Sequence, residues 1–286
     1  GAGLPIAIGT ATMEMMTSAC MSLSTLPVLT QCAVPALEAH ADPALLDLYL
    51  PKLISGAWTA TMNLTEPQAG SDLSLLKSRA EPAGDGTYRL FGQKTFITFG
   101  EHDLAENIIH LVLARLPDAP PGTKGISLFV APKFLVHPDG RLGQRNDLRC
   151  AGIEHKLGIK ASPTCTMIYG DEEGAVGWLV GEPHRGLHCM FTMMNRARLA
   201  TGLQGVAIAE RAYQQALAYA QERRQGRAAG RAGAAPIIAH PDVLRMLGRM
   251  KALTMAGRAL AYFSAAAIDD AHGASDDAVR RRGDVY

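Results

Sequence analysis

Met62-Asn63-Leu64-Thr65-Glu66-Pro67-Gln68-Ala69-Gly70-Ser71-Asp72, followed about twenty residues later by Gly92-Gln93-Lys94-Thr95-Phe96-Ile97-Thr98, decides how this chain is read. The first segment leaves a strand-like apolar run, Trp58 to Leu64, for a turn containing Pro67 and Gly70. Main-chain N–H groups and two hydroxyls, Thr65 and Ser71, become free there to meet an acceptor-rich ligand. The second segment places an aromatic ring, Phe96, two residues from a hydroxyl, Thr98, and on a strand that spacing is one face. The ring can cover a flat ligand while the hydroxyl donates to its edge.

Written as L-T-E-P-x-A-G-S-D and then G-x-K-x-F-I-T, the two segments resemble the acyl-CoA dehydrogenase flavoproteins. The resemblance implies FAD as cofactor. It puts the backbone of Met62, Leu64 and Thr65, with the Thr65 hydroxyl, at the pyrimidine edge of the flavin. Gly70 and Ser71 follow in the same turn, Ser71 near the pyrophosphate and the thioester end of the CoA ligand. Phe96 packs on the isoalloxazine where many relatives carry Trp, Ile97 lies beside it, and Thr98 hydrogen-bonds N5, the atom that receives hydride. Without the resemblance, the same residues are a strand, a turn and a core aromatic.

At 286 residues and 30.4 kDa the chain exceeds one typical domain, so two or three compact units are expected. Hydrophobic residues make up 48%, charged ones 19%, and mean hydropathy is +0.04, which is the balance of a soluble globular protein. Lys and Arg total 28 against 27 Asp and Glu, so no strong field favours nucleic acid or an anionic membrane as partner. Five scattered cysteines without a C-x-x-C pair argue against a disulfide framework or a metal site, and point to a reducing, cytoplasmic setting. No apolar run approaches the roughly 20 residues of a bilayer span. The best candidate, Ile108 to Leu116, is interrupted by His110 and Arg115. Gly1-Ala2-Gly3-Leu4-Pro5 lacks the charged start of a signal peptide.

Along the chain the pattern changes twice. Residues 1–56 carry apolar positions at helical spacing with breaks expected at Pro27, Pro35 and Pro43, and Asp42-Pro43 opens a helix over Ala44 to Ile54. Residues 57–182 turn to short β-like runs, among them Thr87 to Phe91, Asn107 to Leu113, Ile126 to Val130 and Thr164 to Tyr169, with Gly84-Asp85-Gly86 as a hairpin turn. Residues 183–286 return to helical spacing, one long helix from Gly186 to about Gln225 and a second from Pro241 to about Asp270. The expected class is α+β: a helical layer, a β-barrel or sandwich domain, and part of a helical bundle. In the family such a bundle also forms the interface of a homodimer or homotetramer.

The resemblance places Met194, Asn195 and Arg198 along the acyl-CoA channel; a solvated helix face is the alternative for Arg198. Arg223 and Gln225 match the family's helix end that reaches the FAD of a neighbouring subunit, where a planar guanidinium suits pyrophosphate. A cationic helix C-terminus is the alternative. The implied reaction takes the α-proton of an acyl-CoA onto a carboxylate while the β-hydride passes to flavin N5, with an electron-transfer flavoprotein as acceptor of the electrons. The base should be a buried Glu of raised pKa. One family position for it holds Ala197 here and the other is expected beyond Tyr286, so no catalytic base is named; Glu66, inside the turn, reads as structural. Asn63, the Phe191 to Asn195 run, Arg223 to Arg227 and Ile238 to Asp242 resemble a branch of larger bacterial members that includes the 3-methylmercaptopropionyl-CoA dehydrogenases. The rival reading is a flavin-binding homologue without dehydrogenase activity, as in the DNA-damage-associated branch.

Overall fold

The computed structural model describes residues 3–230 and 232–280. Two helices come first, α1 (Ile6–His40) and α2 (Pro43–Ser55). The β region contains β1 (Trp58–Asn63), β2 (Arg79–Pro82), β3 (Tyr88–Thr98), β4 (Asn107–Arg115), β5 (Ile126–Pro132), β6 (Phe134–Val136), β7 (Leu142–Arg145), β8 (Leu148–Ile153), β9 (Thr164–Tyr169) and β10 (Ala175–Val180). Two long helices follow, α3 (Gly186–Glu222) and α4 (Pro241–Gly273). This is the helix, β, helix order expected of the α+β class. By compactness the chain divides into one unit of Thr25–Ala197 and another of the residues before Thr25 together with those from Arg198 on. The second part of α1, all of α2 and the first turns of α3 therefore group with the strands.

α1 departs from the sequence expectation in two ways. Pro27 and Pro35 lie inside the helix without ending it, and the break falls at Cys20, whose backbone is extended (φ −153°, ψ 92°). A proline in a helix interior costs roughly 3 kcal/mol because it removes one donor and crowds the preceding turn. Burial of Val28, Cys32, Ala33, Ala36 and Leu37 in the same stretch offsets that cost. The expectation that no apolar stretch reaches bilayer length is also corrected: α1, at 35 residues, is long and apolar enough to cross a membrane by length and composition. Its most apolar window is 44% buried inside the protein, as in the core helix of a globular fold.

In the first unit the main sheet runs β1-β4-β5-β10-β3-β9-β8, with β2 pairing both β3 and β4; β6 and β7 form a separate ribbon. β1 and β4 are parallel, Thr61 opposite His110 and Asn63 opposite Val112. β4 is buried from Asn107 to Ala114 and β5 along its whole length, which explains their near-continuous apolar sequences. Leu90, Ile97, Val112, Phe129, Cys165 and Met167 form the centre of the core. The Gly84 to Gly86 turn joins antiparallel β2 and β3 as expected. β3 then runs on past Phe91, carrying Gly92 to Thr98 with it.

α3 starts hard against β5. A Cβ on Gly186 would lie 2.2 Å from the Ser127 carbonyl carbon and 2.3 Å from Leu128 N. The Ser127 hydroxyl accepts the His184 N–H at 2.8 Å just before the helix. Gly186→Ala should therefore destabilise the first unit by about 3 kcal/mol through backbone displacement. Thermal unfolding checks this, and an unchanged melting temperature would contradict the packing described.

In the second unit, Arg258 donates to Glu14 and Glu210 at 2.8 Å each, and Tyr262 donates to Glu14 at 3.0 Å. The Asp269 carboxylate accepts the Ile6 and Ala7 N–H groups (2.7 and 3.0 Å) at the start of α1. These bonds tie α1 to α3 and α4.

Candidate functional site

β1 ends at Asn63, and the chain folds at once into a tight loop. Glu66 and Ala69 exchange main-chain hydrogen bonds, each 3.0 Å, with Pro67 setting the turn between them. Glu66 is 3% exposed and its carboxylate is saturated. Oε1 accepts Lys94 Nζ at 2.8 Å and Ser78 N at 3.0 Å, while Oε2 accepts Gln68 Nε2 at 2.6 Å and Lys77 N at 2.7 Å. Lys94 Nζ, fully buried on β3, also donates to Leu64 O at 3.1 Å. Burial alone would raise the Glu66 carboxyl; the Lys94 charge and the hydrogen bonds from Lys94, Ser78 and Lys77 outweigh it and bring it to about 2. Burial draws the Lys94 ammonium down to about 8 against the pull of Glu66, so both groups are charged at neutral pH.

The facing strand is irregular at the same level. Pairing between β3 and β9 shifts between Lys94 and Ile97, leaving Thr95 and Phe96 in a bulge. Thr95 N donates to Thr65 O at 2.9 Å, so the Leu64-Thr65 turn and the bulge are joined. Phe96 has φ 61° and Phe99 φ 51°, a left-handed backbone that is costly for a bulky side chain. The same-face argument assumed a regular strand, and that assumption fails here. Exposure nevertheless alternates, with Phe96 63% exposed, Ile97 2% and Thr98 half-buried beside its partner Thr164. Gly70 and Ser71 are exposed on the turn, and Met62 is half-buried on β1.

Below the turn lies a ring of buried polar side chains. Tyr169 OH donates to Asn63 Oδ1 (2.9 Å), Asn63 Nδ2 donates to Thr61 Oγ1 (2.8 Å), and Thr61 Oγ1 meets His110 Nδ1 (2.7 Å). The His110 ring packs edge-on to Tyr169 with centroids 6.1 Å apart. Burial holds the imidazole down at about 3, so it is neutral. His110 Nε2 has no hydrogen-bond partner among the described residues, and neither does the buried Thr95 hydroxyl.

The remaining sequence candidates divide between the two units. Met194, half-buried, and Asn195, exposed, lie on α3 in the unit that holds the turn and the bulge. Arg198, Arg223 and Gln225 belong to the other unit. Arg223 donates to Gln225 Oε1 at 3.2 Å, and Gln225 O meets His240 Nε2 at 2.8 Å, so this pair sits on a closed turn between α3 and α4. A cavity of about 840 Å³ lies elsewhere in the first unit, among Leu48, Pro51, Tyr88, Pro138 and Trp178, and touches none of the candidates. The motif contains Lys94 without assigning it a role, and nothing in the sequence pattern assigns one to Thr95 or His110. A lone Lys and a lone His inside apolar β runs, with a Glu in a nearby turn, were the available signals.

Two family models match the chain: the acyl-CoA dehydrogenase middle domain over residues 61–171 and the acyl-CoA dehydrogenase C-terminal domain over residues 184–280. The 3-methylmercaptopropionyl-CoA dehydrogenase of Ruegeria pomeroyi is 55% identical over 280 residues, 97% of this chain and 47% of that protein. A butyryl-CoA dehydrogenase of Syntrophomonas wolfei is 41% identical over 276 residues, covering 94% of this chain and 45% of its own length. The chain thus spans about half the length of these curated relatives. Among solved structures, Caenorhabditis elegans ACDH-11 in complex with C11-CoA superimposes with a TM-score of 0.80 over 96% of this chain and 45% of that one; at 23% identity it shows the fold alone. The saturated TEPQAGSD turn, the bulged strand joined to it and the two matched domains lead to one conclusion: the chain belongs to the acyl-CoA dehydrogenase family.

Proposed function

We propose that the protein is an FAD-dependent acyl-CoA dehydrogenase acting on a short acyl-CoA thioester, with 3-methylmercaptopropionyl-CoA as the substrate that the Ruegeria relative suggests. The observation that carries this reading is the join between the Thr65 turn and the Phe96 bulge. The residues fit a flavin. An exposed aromatic ring stands on a strained backbone, a buried hydroxyl beside it has no partner, and a saturated ion pair holds the turn. Bound there, FAD would supply the hydride acceptor.

Phe96 offers a ring face for the isoalloxazine, and Thr65 and Thr98 offer hydroxyl donors to its edge. The Met62 backbone is held by pairing with β4, and the Leu64 carbonyl by the Lys94 ammonium. Gly70 leaves room over Thr65, its nearest neighbour at 3.5 Å from a built Cβ, and Ser71 stands exposed for phosphate or thioester. Met194, Asn195 and Arg198 are assigned to the acyl-CoA, and Arg223 with Gln225 to a neighbouring subunit's cofactor. Glu66 is unsuited to be the base, because both its oxygens are occupied and its pKa is lowered. Electrons would leave to an electron-transfer flavoprotein. Exposed Leu253, Met255 and Leu260 on α4 support assembly as a homodimer or homotetramer.

Anaerobic titration of the yellow protein with short-chain acyl-CoAs tests the reading: loss of visible flavin absorbance supports it, whereas a flavoprotein that never bleaches supports a binding homologue without dehydrogenase activity. Thr98→Val should slow flavin reduction roughly ten- to hundredfold with acyl-CoA affinity nearly unchanged, as expected of a bond that strengthens only during hydride transfer. Stopped-flow reduction measures it, and an unchanged rate would remove Thr98 from that role.

A further inference from the structure

The Thr95 hydroxyl is one of five buried side-chain polar atoms without a partner among the described residues, and the one that lies in the bulge. Thr95 is 8% exposed, and its Oγ1 has no hydrogen-bond partner among the described residues. A buried hydroxyl left in that state is a standing cost, and a valine of the same shape would avoid it. The position is not incidental to the site. Thr95 N holds Thr65 O at 2.9 Å, and the next residue is Phe96 with its left-handed backbone. The register shift with β9 spans this residue, so Thr95 has no strand partner opposite it. Strain and an unmet polar atom on adjacent residues of one bulge are the signature of a site completed by a ligand. A change of χ1 between staggered positions redirects the hydroxyl within the bulge.

We propose that Thr95 is a further cofactor contact, its hydroxyl donating to a carbonyl or ring-nitrogen acceptor of the bound flavin. This rests on the reading of the bulge as a flavin site and adds to it a residue outside the family motif positions. The hydroxyl's role is specific to the loaded state: in the flavin-free protein it is a liability, and with flavin bound it is a bond.

The test compares wild type, Thr95→Val and Thr95→Ser after removal of flavin. FAD affinity is read from quenching of flavin fluorescence, and stability from the melting temperature of the flavin-free protein. The expected result is that Thr95→Val melts at or above wild type when flavin-free yet binds FAD roughly tenfold more weakly, while Thr95→Ser binds within about threefold of wild type. A Thr95→Val protein that binds FAD within about twofold of wild type overturns the proposal. So does a flavin-free Thr95→Val that melts below flavin-free Thr95→Ser, because the hydroxyl then has its partner inside the protein. If Thr95→Val does not fold, Thr95→Ala against Thr95→Ser decides, equal FAD affinities overturning the assignment and a weaker alanine variant supporting it. Wild type that takes up no FAD at all overturns the underlying reading and this contact with it; wild type that binds FAD as tightly as the valine variant removes Thr95 alone.

Discussion

Lys94→Met is expected to destabilise the β-containing unit by about 3–5 kcal/mol, because it leaves the Glu66 carboxylate buried without its counter-charge. The Lys94 and Glu66 side chains are 0% and 3% exposed and 2.8 Å apart, so solvent neither screens the pair nor rescues the survivor. Lys94 also holds Leu64 O, and its loss frees the turn at a residue proposed to meet the flavin edge. Adding Glu66→Gln to Lys94→Met removes the orphaned charge and should recover about 2 kcal/mol. Both tryptophans of the chain, Trp58 and Trp178, lie in this unit, so denaturant unfolding followed by tryptophan fluorescence reports on it directly. Equal losses in the single and double variants would show that the charge pairing is not what matters.

Acid should weaken the same unit well above the range where carboxylates titrate. His110 has an ordinary value near 6.5 in the unfolded chain and about 3 in the fold, where burial outweighs the pull of Glu101 and Lys133, His102 and Arg145 act in the same direction as burial. Between those values the unfolded state takes up a proton that the folded state refuses. Stability is therefore complete above about pH 6.5 and falls by roughly 1.4 kcal/mol per pH unit as acid is added, on the order of 3–5 kcal/mol in all. Glu66 adds its own loss only between about 4.5 and 2, so the two windows overlap below about pH 4.5 and the range from 6.5 to 4.5 is free of Glu66. From pH 7 to pH 5, wild type should lose about 2 kcal/mol more than His110→Gln. Parallel losses in the two proteins would mean that the imidazole is not held neutral by the fold.

The turn and the strand that carry the site were legible because their chemistry is local. Pro67 and Gly70 set a turn, and a phenyl and a hydroxyl two residues apart mark a strand face. The alternation of β runs and helical spacing gave the order of elements, and Thr164 to Tyr169 coincides with β9. What escaped depends on groups that meet only in three dimensions. Nothing local marks the bulge at Thr95 and Phe96, since no glycine supplies the left-handed backbone. Glu66 and Lys94 are 28 residues apart in sequence, and their pairing needs the turn to fold onto β3. Pro27 and Pro35 read as helix ends by propensity, and tertiary burial overrode both, while the real break at Cys20 has no breaker residue. α1 reaches membrane-spanning length because the helix continues through those two prolines. Arg198, Arg223 and Gln225 were joined to the site by resemblance alone, and they lie in the other compact unit.

Determining the structure of the protein with FAD bound puts the account to its most direct trial. The isoalloxazine is expected against Phe96, with the Thr65 and Thr98 hydroxyls in hydrogen-bond reach of its edge. Density for the ring anywhere else, such as the cavity beside Leu48 and Trp178, would contradict it.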